Sequence, residues 1–298
     1  MAILIADQIT KKYSGKIAVN QLSLSVDEGQ LIAFLGPNGA GKSTSIGMLT
    51  GIIKPTSGLI TINGLHPNNH RYVNQIGVVF QTSVLDKDLS VKKNLLSRAK
   101  MYSHLDANKR VMQLVNLFQL ESFENQRYGI LSGGQKRRVD IARAIIQEPR
   151  ILFLDEPSTG LDIQTRNLIW SILQRLRNQT HLTIILTTHY LEEAENADFV
   201  YIMDHGQLIA AGTVPELKHQ YAPNILSVQT ANSDEVLSVF PNNWQVIEQS
   251  SHSIVVRTPD SKKTIKILSQ ILPLIDTFEF RQGNIDDIFV ALTGKEIR

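Results

Sequence analysis

The sequence predicts an α/β fold with a mostly parallel sheet, followed by a small α+β appendage. Short apolar runs alternate with helical patterns as far as about residue 220, which is typical of a parallel sheet with helices on both faces. Beyond that point the apolar runs shorten and alternate with polar residues, so the construction of the chain changes. We therefore predict a first domain over residues 1–222 and an accessory domain over residues 223–298.

The buried strands of the first domain are predicted from compact apolar runs that lie next to turn-forming or acidic residues. These runs are at residues 31–35, 76–80, 151–154 and 182–186. Between them, apolar residues recur with helical spacing, which predicts helices over residues 43–53, 90–102, 108–117, 134–147 and 162–177. In such a sheet, the carboxyl ends of the strands face the ligand crevice.

The accessory domain is predicted to follow a linker at residues 222–224. Its short alternating runs predict strands at residues 225–229, 253–257 and 278–281. Its helical spacing predicts two helices, at residues 261–272 and 285–292. It contains no recognisable catalytic constellation, so we expect it to serve subunit contact or regulation.

Composition excludes several classes of protein. Of the 298 residues, 42% are apolar and 19% charged, as in an ordinary globular protein. The 30 basic and 28 acidic side chains give a net charge of +2, which provides no general attraction to nucleic acid. The chain has no cysteine, and hence no disulfide or cysteine-based metal site. The N-terminus lacks a signal-peptide pattern and no apolar run approaches the ~20 residues of a spanning helix, so transport would require a separate pore subunit.

A glycine-rich loop with the pattern Gly-x4-Gly-Lys-Ser follows the first predicted strand. Its glycines let successive N–H groups turn towards one phosphate group, and the positive end of the next helix adds to the attraction. Lys42 is expected to reach the β- and γ-phosphates, and the Ser43 hydroxyl to bind Mg²⁺. The predicted nucleotide-binding residues are Gly36, Pro37, Asn38, Gly39, Ala40, Gly41, Lys42, Ser43 and Thr44. Kinases, GTPases and motor ATPases share this loop, so it does not by itself name the reaction.

Two carboxylates, Asp155 and Glu156, follow the third predicted strand. The first can hold Mg²⁺, directly or through water, and the second can accept a proton from an attacking water. Strands also end in acidic residues that only cap a turn. The phosphate loop in the same chain favours hydrolysis over that alternative.

A second set of helix-terminal N–H groups is predicted just before the acidic strand. The segment Leu131, Ser132, Gly133, Gly134 and Gln135 opens a helix with two glycines, which again suits a phosphate group. One nucleotide already has its loop, so this segment indicates a head-to-tail pair of subunits in which each completes its partner's site.

With these segments in this order, residues 1 to about 220 resemble the ATP-binding subunits of ABC transporters. The matching motifs are the Walker A motif at residues 36–44, the signature at 131–135, the Walker B motif at 151–156 and the D-loop at 158–162. The resemblance implies a P-loop NTPase core of the ABC ATPase type with a helical subdomain, and ATP and Mg²⁺ as ligands.

Single residues also match positions of this family. Gln81 matches the Q-loop glutamine, which touches Mg²⁺ or water and senses the membrane subunit. His189 matches the switch histidine that contacts the γ-phosphate, and Glu156 the base that polarises the attacking water. Tyr13 stands where the family has an aromatic residue that stacks on adenine, although surface packing alone also explains such a tyrosine.

The resemblance implies that the second subunit takes part in each site. Ser132 and Gly134 would contact the γ-phosphate of ATP held by the partner subunit, and Asp162 would link the two sites across the dimer interface. The second subunit would be another copy of the chain or a close paralogue. The basic run at residues 136–138 is interpreted as a solvated helix face, with a part in holding the phosphates or the interface as the alternative, and we assign it no role.

The signature helix and residues 283–294 resemble exporter subunits that pair with six-span membrane proteins, a group with drug-resistance and efflux systems. This implies a permease partner and a place on the cytoplasmic face of the cell membrane. Two alternatives remain open at this point. One is a soluble ABC protein of ribosomes or DNA, which usually has two cassettes or long insertions, and the other is a small-molecule kinase, in which residues 131–135 would have no role.

Overall fold

The computed structural model describes residues 2–258 and 261–294. The chain divides into two compact units, of which the first ends at Ala211 and the second begins at Gly212. The boundary predicted at residue 222 therefore lies one helix after the division between the two units. The reason is that the sequence pattern changes only after the helix Val214–Tyr221. Within the described residues, no helix is both long and apolar enough to cross a lipid bilayer.

The first unit alternates strands and helices as predicted. Its strands are β1 (Ala2–Tyr13), β2 (Lys16–Asp27), β3 (Leu31–Leu35), β4 (Ser57–Ile62), β5 (Ile76–Val79), β6 (Ile151–Asp155), β7 (Thr183–Thr188), β8 (Phe199–Asp204) and β9 (Gln207–Gly212). Its helices are α1 (Lys42–Leu49), α2 (His70–Asn74), α3 (Val91–Ala99), α4 (Ala107–Leu117), α5 (Gly133–Ala144), α6 (Ile163–Thr180) and α7 (Leu191–Glu195). The predicted strands and helices of this unit are confirmed, with ends that differ by a few residues.

The main sheet has the strand order β5-β6-β7-β3-β8-β9 among the described residues. The pairs β5–β6, β6–β7, β7–β3 and β3–β8 are parallel. Strands β3 and β7 are buried along their whole length, which explains why they are uninterrupted apolar runs in the sequence. The carboxyl ends of β5, β6, β7 and β3 therefore lie side by side, and the predicted site residues follow them.

A second sheet of the first unit is antiparallel and has the order β2-β1-β4. Its apolar side chains, such as Leu4 and Ile9, join the same core as Ile32 and Phe34 of the main sheet. The sequence pattern did not predict this sheet. Register shifts along β1, with Gln8 at a φ of +46°, break the alternation of inward and outward side chains that identifies a half-buried strand.

Helix α5 covers β5, the edge strand of the main sheet. Arg137 and Arg143 of α5, and Gln147 just beyond the end of the helix, donate to alternate carbonyl groups of the strand and of the residue after it. Gln147 donates to Ile76 at 2.7 Å, Arg143 to Val78 at 2.6 Å and Arg137 to Phe80 at 2.8 Å. These hydrogen bonds occupy acceptors that an edge strand otherwise exposes. They also fix the backbone immediately before Gln81.

The second unit is an α+β structure. Its elements are α8 (Val214–Tyr221), β10 (Asn224–Gln229), α9 (Ser233–Val239), β11 (Gln245–Gln249), β12 (Ser253–Thr258), α10 (Ser261–Ile271), β13 (Thr277–Arg281) and α11 (Ile285–Thr293). Its strands form an antiparallel sheet in the order β11-β12-β10-β13, with Leu226, Val228, Ile254 and Val256 in its core. Strand β11 was not predicted, because all of its residues are exposed and it has no apolar alternation.

Candidate active site

The phosphate loop lies between β3 and α1, at the carboxyl end of a central strand. Gly39 and Gly41 have φ angles of +84° and +102°, which residues with a Cβ rarely adopt. A Cβ on Gly36 would lie 2.2 Å from the carbonyl oxygen of Met203, and one on Gly41 would lie 2.7 Å from that of Ala18. Backbone conformation and close packing therefore account for the glycine pattern.

Lys42 is the first residue of α1 and is buried. Its Nζ donates to the carbonyl groups of Gly36 at 2.7 Å and Pro37 at 3.1 Å. Burial lowers the pKa of Lys42, while the negative charges of Glu156 and Asp155 act to raise it. The ammonium group of Lys42 thus lies within the loop and interacts electrostatically with the carboxylates of Asp155 and Glu156.

Asp155 ends β6 and accepts two hydrogen bonds from hydroxyl groups. Ser43 Oγ donates to Asp155 Oδ1 at 3.1 Å, and Thr187 Oγ1 donates to the same atom at 2.5 Å. The serine hydroxyl and the carboxylate are hard oxygen donors of the kind that Mg²⁺ prefers. Among the described residues, no group of three or more His, Asp or Glu side chains could hold a metal ion. The donors present fit a Mg²⁺ ion that takes its remaining ligands from phosphate and water.

Glu156 is the residue on which the other predicted side chains converge. Its Oε2 accepts from Gln81 Nε2 at 3.4 Å and from Thr159 Oγ1 at 3.1 Å, and it lies 3.6 Å from His189 Nδ1. Its φ is +47°, and its N–H donates to Thr187 Oγ1 at 3.0 Å. A left-handed conformation in a residue with a Cβ is strained, and such strain often occurs at functional sites.

The segment at residues 131–135 begins α5, as the sequence predicts. Leu131 is buried, whereas Ser132 and Gly133 are exposed. Ser132 Oγ accepts from the Gln135 N–H at 3.2 Å, and Gln135 Oε1 accepts from the Ser132 N–H at 3.0 Å. This reciprocal capping box fixes the start of the helix and leaves it open to solvent.

Asp162 caps the N-terminus of α6. Its carboxylate accepts from Thr165 N–H and Thr165 Oγ1, both at 2.8 Å, and these hydrogen bonds lower the pKa of Asp162. A Cβ on Gly134 would lie 2.8 Å from Thr165 Cγ2, so the starts of α5 and α6 are in contact. The signature segment and the D-loop are therefore neighbours.

Tyr13 is the last residue of β1, and 45% of its surface is exposed. Lys11 Nζ lies 5.0 Å from the centroid of its ring. The hairpin that follows Tyr13 passes beside the phosphate loop, since the carbonyl oxygen of Ala18 would meet a Cβ placed on Gly41. The ring thus belongs to a hairpin that packs against the loop.

These motifs and their geometry agree with what the sequence resembles. A family model described as "ABC transporter" matches residues 19–159. The Nod factor export ATP-binding protein I of Rhizobium johnstonii is 36% identical over 297 residues, which cover 97% of this chain and 94% of the relative. This chain is a member of the ABC transporter ATP-binding family. It is accordingly an ATP-binding and ATP-hydrolysing subunit.

Other relatives and solved structures place this cassette in the same family. The daunorubicin/doxorubicin resistance ATP-binding protein DrrA of Streptomyces peucetius is 34% identical, over 96% of this chain and 91% of the relative. The structure of an ATP-binding subunit of an ABC transporter has a TM-score of 0.67 and 30% identity, and covers 74% of this chain and 93% of its own. A dimeric cassette in a post-hydrolysis state with ADP and Pi has a TM-score of 0.66 and 27% identity, over 70% and 98%.

Arg137 of the cassette was missed by the sequence interpretation. For the basic run at residues 136–138 we predict a solvated helix face, and this prediction is wrong for Arg137, which is 7% exposed. Its Nη2 donates to the carbonyl oxygen of Glu156 at 2.7 Å, and its Nη1 to that of Phe80. Helical spacing places Arg137 on the same face as Ile141 and Ala144, both of which are buried, so this spacing was the signal that could have identified it.

A buried carboxylate, Asp140, was also missed. It accepts from Ser83 Oγ at 2.6 Å and from Tyr128 OH at 3.1 Å. Burial raises the pKa of Asp140, although these two hydrogen bonds and the charge of Arg137 act to lower it. Asp140 joins the segment after Gln81 to the residues before the signature. No sequence signal links these three positions, because they lie on different elements.

Proposed function

We propose that this cassette hydrolyses ATP at the carboxyl ends of β3, β5, β6 and β7, with Glu156 as the group that orients and activates the attacking water. One observation carries the proposal. Gln81 Nε2, Thr159 Oγ1 and His189 Nδ1 all lie within 3.6 Å of Glu156 Oε2, next to the phosphate loop and Asp155. A carboxylate in such a position accepts a proton from water as the phosphoryl group is attacked.

The phosphate groups of ATP would be held by residues 36–44. Their N–H groups and the N-terminus of α1 supply positive charge, and Lys42 would exchange its contacts with the loop carbonyls for contacts with phosphate oxygens. The exposed ring of Tyr13 is available for stacking on adenine. His189 would contact the γ-phosphate and stabilise the charge that develops there.

Ser43, Asp155 and Gln81 would hold Mg²⁺. When bound, the ion would neutralise charge on the β- and γ-phosphates. The Ser43 hydroxyl and the Asp155 carboxylate are already adjacent, at 3.1 Å, and Thr187 orients the carboxylate. Gln81 lies on the segment after β5, so its side chain would also respond to movement of that segment.

The cassette would work as a dimer with a second copy or a close paralogue. Ser132 and Gly133 of its signature segment are exposed at a helix N-terminus, and Ser132 with Gly134 suits the γ-phosphate of a nucleotide on the partner. Asp162 lies beside this segment and would join the two sites. A solved cassette with 27% identity is itself dimeric with ADP and Pi, which supports this arrangement.

We further propose that the cassette drives an exporter and is held at the cytoplasmic face of the membrane by a permease subunit. The relatives named for Nod factor export and for daunorubicin/doxorubicin resistance, at 36% and 34% identity over nearly the whole chain, support export over import. The helices between Gln81 and Leu131 would press on the permease. The proposed accessory domain at residues 223–298, which lies within the second unit, would contribute subunit contact or regulation.

Glu156→Gln tests the proposed mechanism. The variant should bind ATP with unchanged affinity, lose turnover by about a thousandfold, and accumulate as a dimer in ATP. Glu28→Gln is the matched control, because Glu28 lies in an exposed ion pair with Arg150 at 3.7 Å. Full ATPase activity in Glu156→Gln, measured with the control in parallel, would show that another group activates water.

Co-purification tests the proposed partner. The tagged cassette, expressed together with a candidate multi-span protein, should be recovered with that protein from detergent-solubilised membranes. The ATPase rate of the complex should then respond to compounds that the permease moves. Recovery with ribosomes instead of membranes would contradict the exporter assignment.

A further inference from the structure

The segment that carries His189 is fastened at two points to the segment that follows Glu156. Tyr190 contacts Arg166 at one point, and Glu193 contacts Ser158 and Trp170 at the other. We call these five residues the clasp: Ser158, Arg166, Trp170, Tyr190 and Glu193. None of them was predicted as a site residue, although Ser158 lies in the predicted D-loop. Tyr190, which precedes α7, and Glu193 of α7 make the contacts on one side. Ser158 of the D-loop and Arg166 and Trp170 of α6 make them on the other.

The first contact of the clasp includes the imidazole ring itself. The rings of His189 and Tyr190 have centroids 4.3 Å apart and planes inclined by 34°. Arg166 Cζ lies 4.8 Å from the Tyr190 centroid, which is a cation–π distance, and Arg166 Nη1 lies 3.4 Å from Glu192 Oε2. The Tyr190 N–H donates to Thr188 Oγ1 at 2.8 Å, which fixes its backbone to β7.

The second contact holds the short helix that follows. Glu193 is 3% exposed, and its Oε1 accepts from Ser158 Oγ and from Trp170 Nε1, the latter at 3.2 Å. A helix of five residues has little stability of its own, so such side-chain contacts decide where α7 lies. Because Ser158 is in the D-loop, the position of α7 depends on that loop.

We propose that Tyr190 is a positioning residue for His189, and that Arg166 and Glu193 hold Tyr190 and its helix in place. This inference rests on the proposed role of His189 in hydrolysis. An unsupported imidazole can rotate about its side-chain bonds, whereas contact with the tilted Tyr190 ring restricts it to the orientation in which Nδ1 lies 3.6 Å from Glu156 Oε2. Through the contacts of the clasp, a movement of the D-loop or of α6 would shift Tyr190 and α7, and with them His189.

The test compares substitutions that disrupt the contact between the rings of His189 and Tyr190 with one that keeps it. In the full chain, Tyr190→Leu should lower kcat for ATP by about tenfold with little change in KM, since a small misplacement of a catalytic group slows the chemical step. Tyr190→Phe keeps the ring and should restore most of kcat. Arg166→Gln should lower kcat by about threefold, whereas Arg175→Gln, an exposed arginine on the same helix, serves as the control.

His189→Ala separates this inference from the function on which it rests. If His189→Ala keeps the parent kcat, the proposed role of His189 is wrong. If His189→Ala is inactive but Tyr190→Leu and Arg166→Gln turn over like the parent, only the clasp inference is wrong. The double variant His189→Ala with Tyr190→Leu should be no slower than His189→Ala alone, and an additional loss would mean that Tyr190 acts elsewhere. Arg166→Gln leaves the ring in place, so it decides the matter if Tyr190→Leu fails to fold.

Discussion

Arg137 donates from Nη2 to the carbonyl oxygen of Glu156 at 2.7 Å. The same guanidinium group donates from Nη1 to the carbonyl oxygen of Phe80 at 2.8 Å. Phe80 directly precedes Gln81. The Arg137 side chain thus holds the backbone after β5, next to Gln81, and the backbone after β6, at Glu156. The side chains of Gln81 and Glu156 are in contact. The separation between Gln81 and Glu156 therefore depends on α5.

We expect Arg137→Lys to lower kcat by about tenfold, because a single ammonium group cannot reproduce the planar fork that spans the two carbonyl groups. The free energy of unfolding should fall by about 2 kcal/mol, the size of lost hydrogen bonds to a charged group. Steady-state ATPase rates and urea unfolding measure the two effects, with Arg175→Lys as the control. Parent-like kcat in Arg137→Lys would show that the strand ends keep their spacing without the fork.

Thr187 orients the carboxylate assigned to Mg²⁺. Thr187→Val keeps the shape of the side chain but removes the hydroxyl that donates to Asp155 Oδ1 and accepts from the Glu156 N–H. We expect the Mg²⁺ concentration for half-maximal ATPase activity to rise by about tenfold, as for other residues that orient metal ligands. Thr187→Ser should behave like the parent, and an unchanged Mg²⁺ requirement in Thr187→Val would argue against this orienting role.

Asp140 should make stability depend on pH. Because burial raises its pKa, the folded chain keeps the Asp140 proton to higher pH than the unfolded chain does. The free energy of unfolding contributed by Asp140 therefore falls as pH rises above its usual pKa of 3.8, and stays low once pH exceeds the folded value. Asp140→Asn has no carboxyl group to lose this proton. The free energy of unfolding of the variant, relative to that of the parent, should therefore increase as pH rises from 3.8 to the folded pKa of Asp140. Urea unfolding from about pH 4 to about pH 8, with exposed Asp88→Asn as the control, measures the difference.

Asp287 should stabilise the second unit above its own pKa. Burial acts to raise that pKa, but hydrogen bonds from Arg281, at 2.7 and 3.0 Å, and from the Asn284 N–H outweigh it, so the pKa of Asp287 lies below its usual value. Asp287→Ala should lower the free energy of unfolding by about 1 kcal/mol at neutral pH, because it removes the capping box of α11 and an ion pair that solvent partly screens. The deficit should vanish as pH falls through the folded pKa, where the parent loses the same contribution. Glu248→Ala, on exposed β11, serves as the control.

Much of the first unit could be predicted because its signals are local. The run at residues 31–35 is a central strand, and the glycine pattern after it has a direct reason in the backbone, as at Gly41. The sheet formed by β1, β2 and β4 could not be predicted in the same way. Bulges reverse the inward and outward order of side chains along β1, and the pairing that makes it a strand is with distant residues.

The candidate site was predictable as a set of residues but not as a set of contacts. The expected residue types follow the expected strands, including Gln81 after β5 and His189 after β7. Arg137, Asp140 and Glu193 were missed, because each is a charged side chain on a helix whose partners lie on other elements. A charged residue in a helix is usually solvated, and only burial distinguishes the exceptions.

The sequence by itself determined the chemistry: a phosphate loop, an acidic pair, a signature segment and a histidine, each recognisable from local residue types and spacing. Only the tertiary structure decided which of these side chains meet. Gln81 and Glu156 are 75 positions apart, and their 3.4 Å contact exists because β5 and β6 are adjacent in the sheet and Arg137 holds both ends. The order of strands in a sheet is set by packing of the whole unit, which no local pattern encodes.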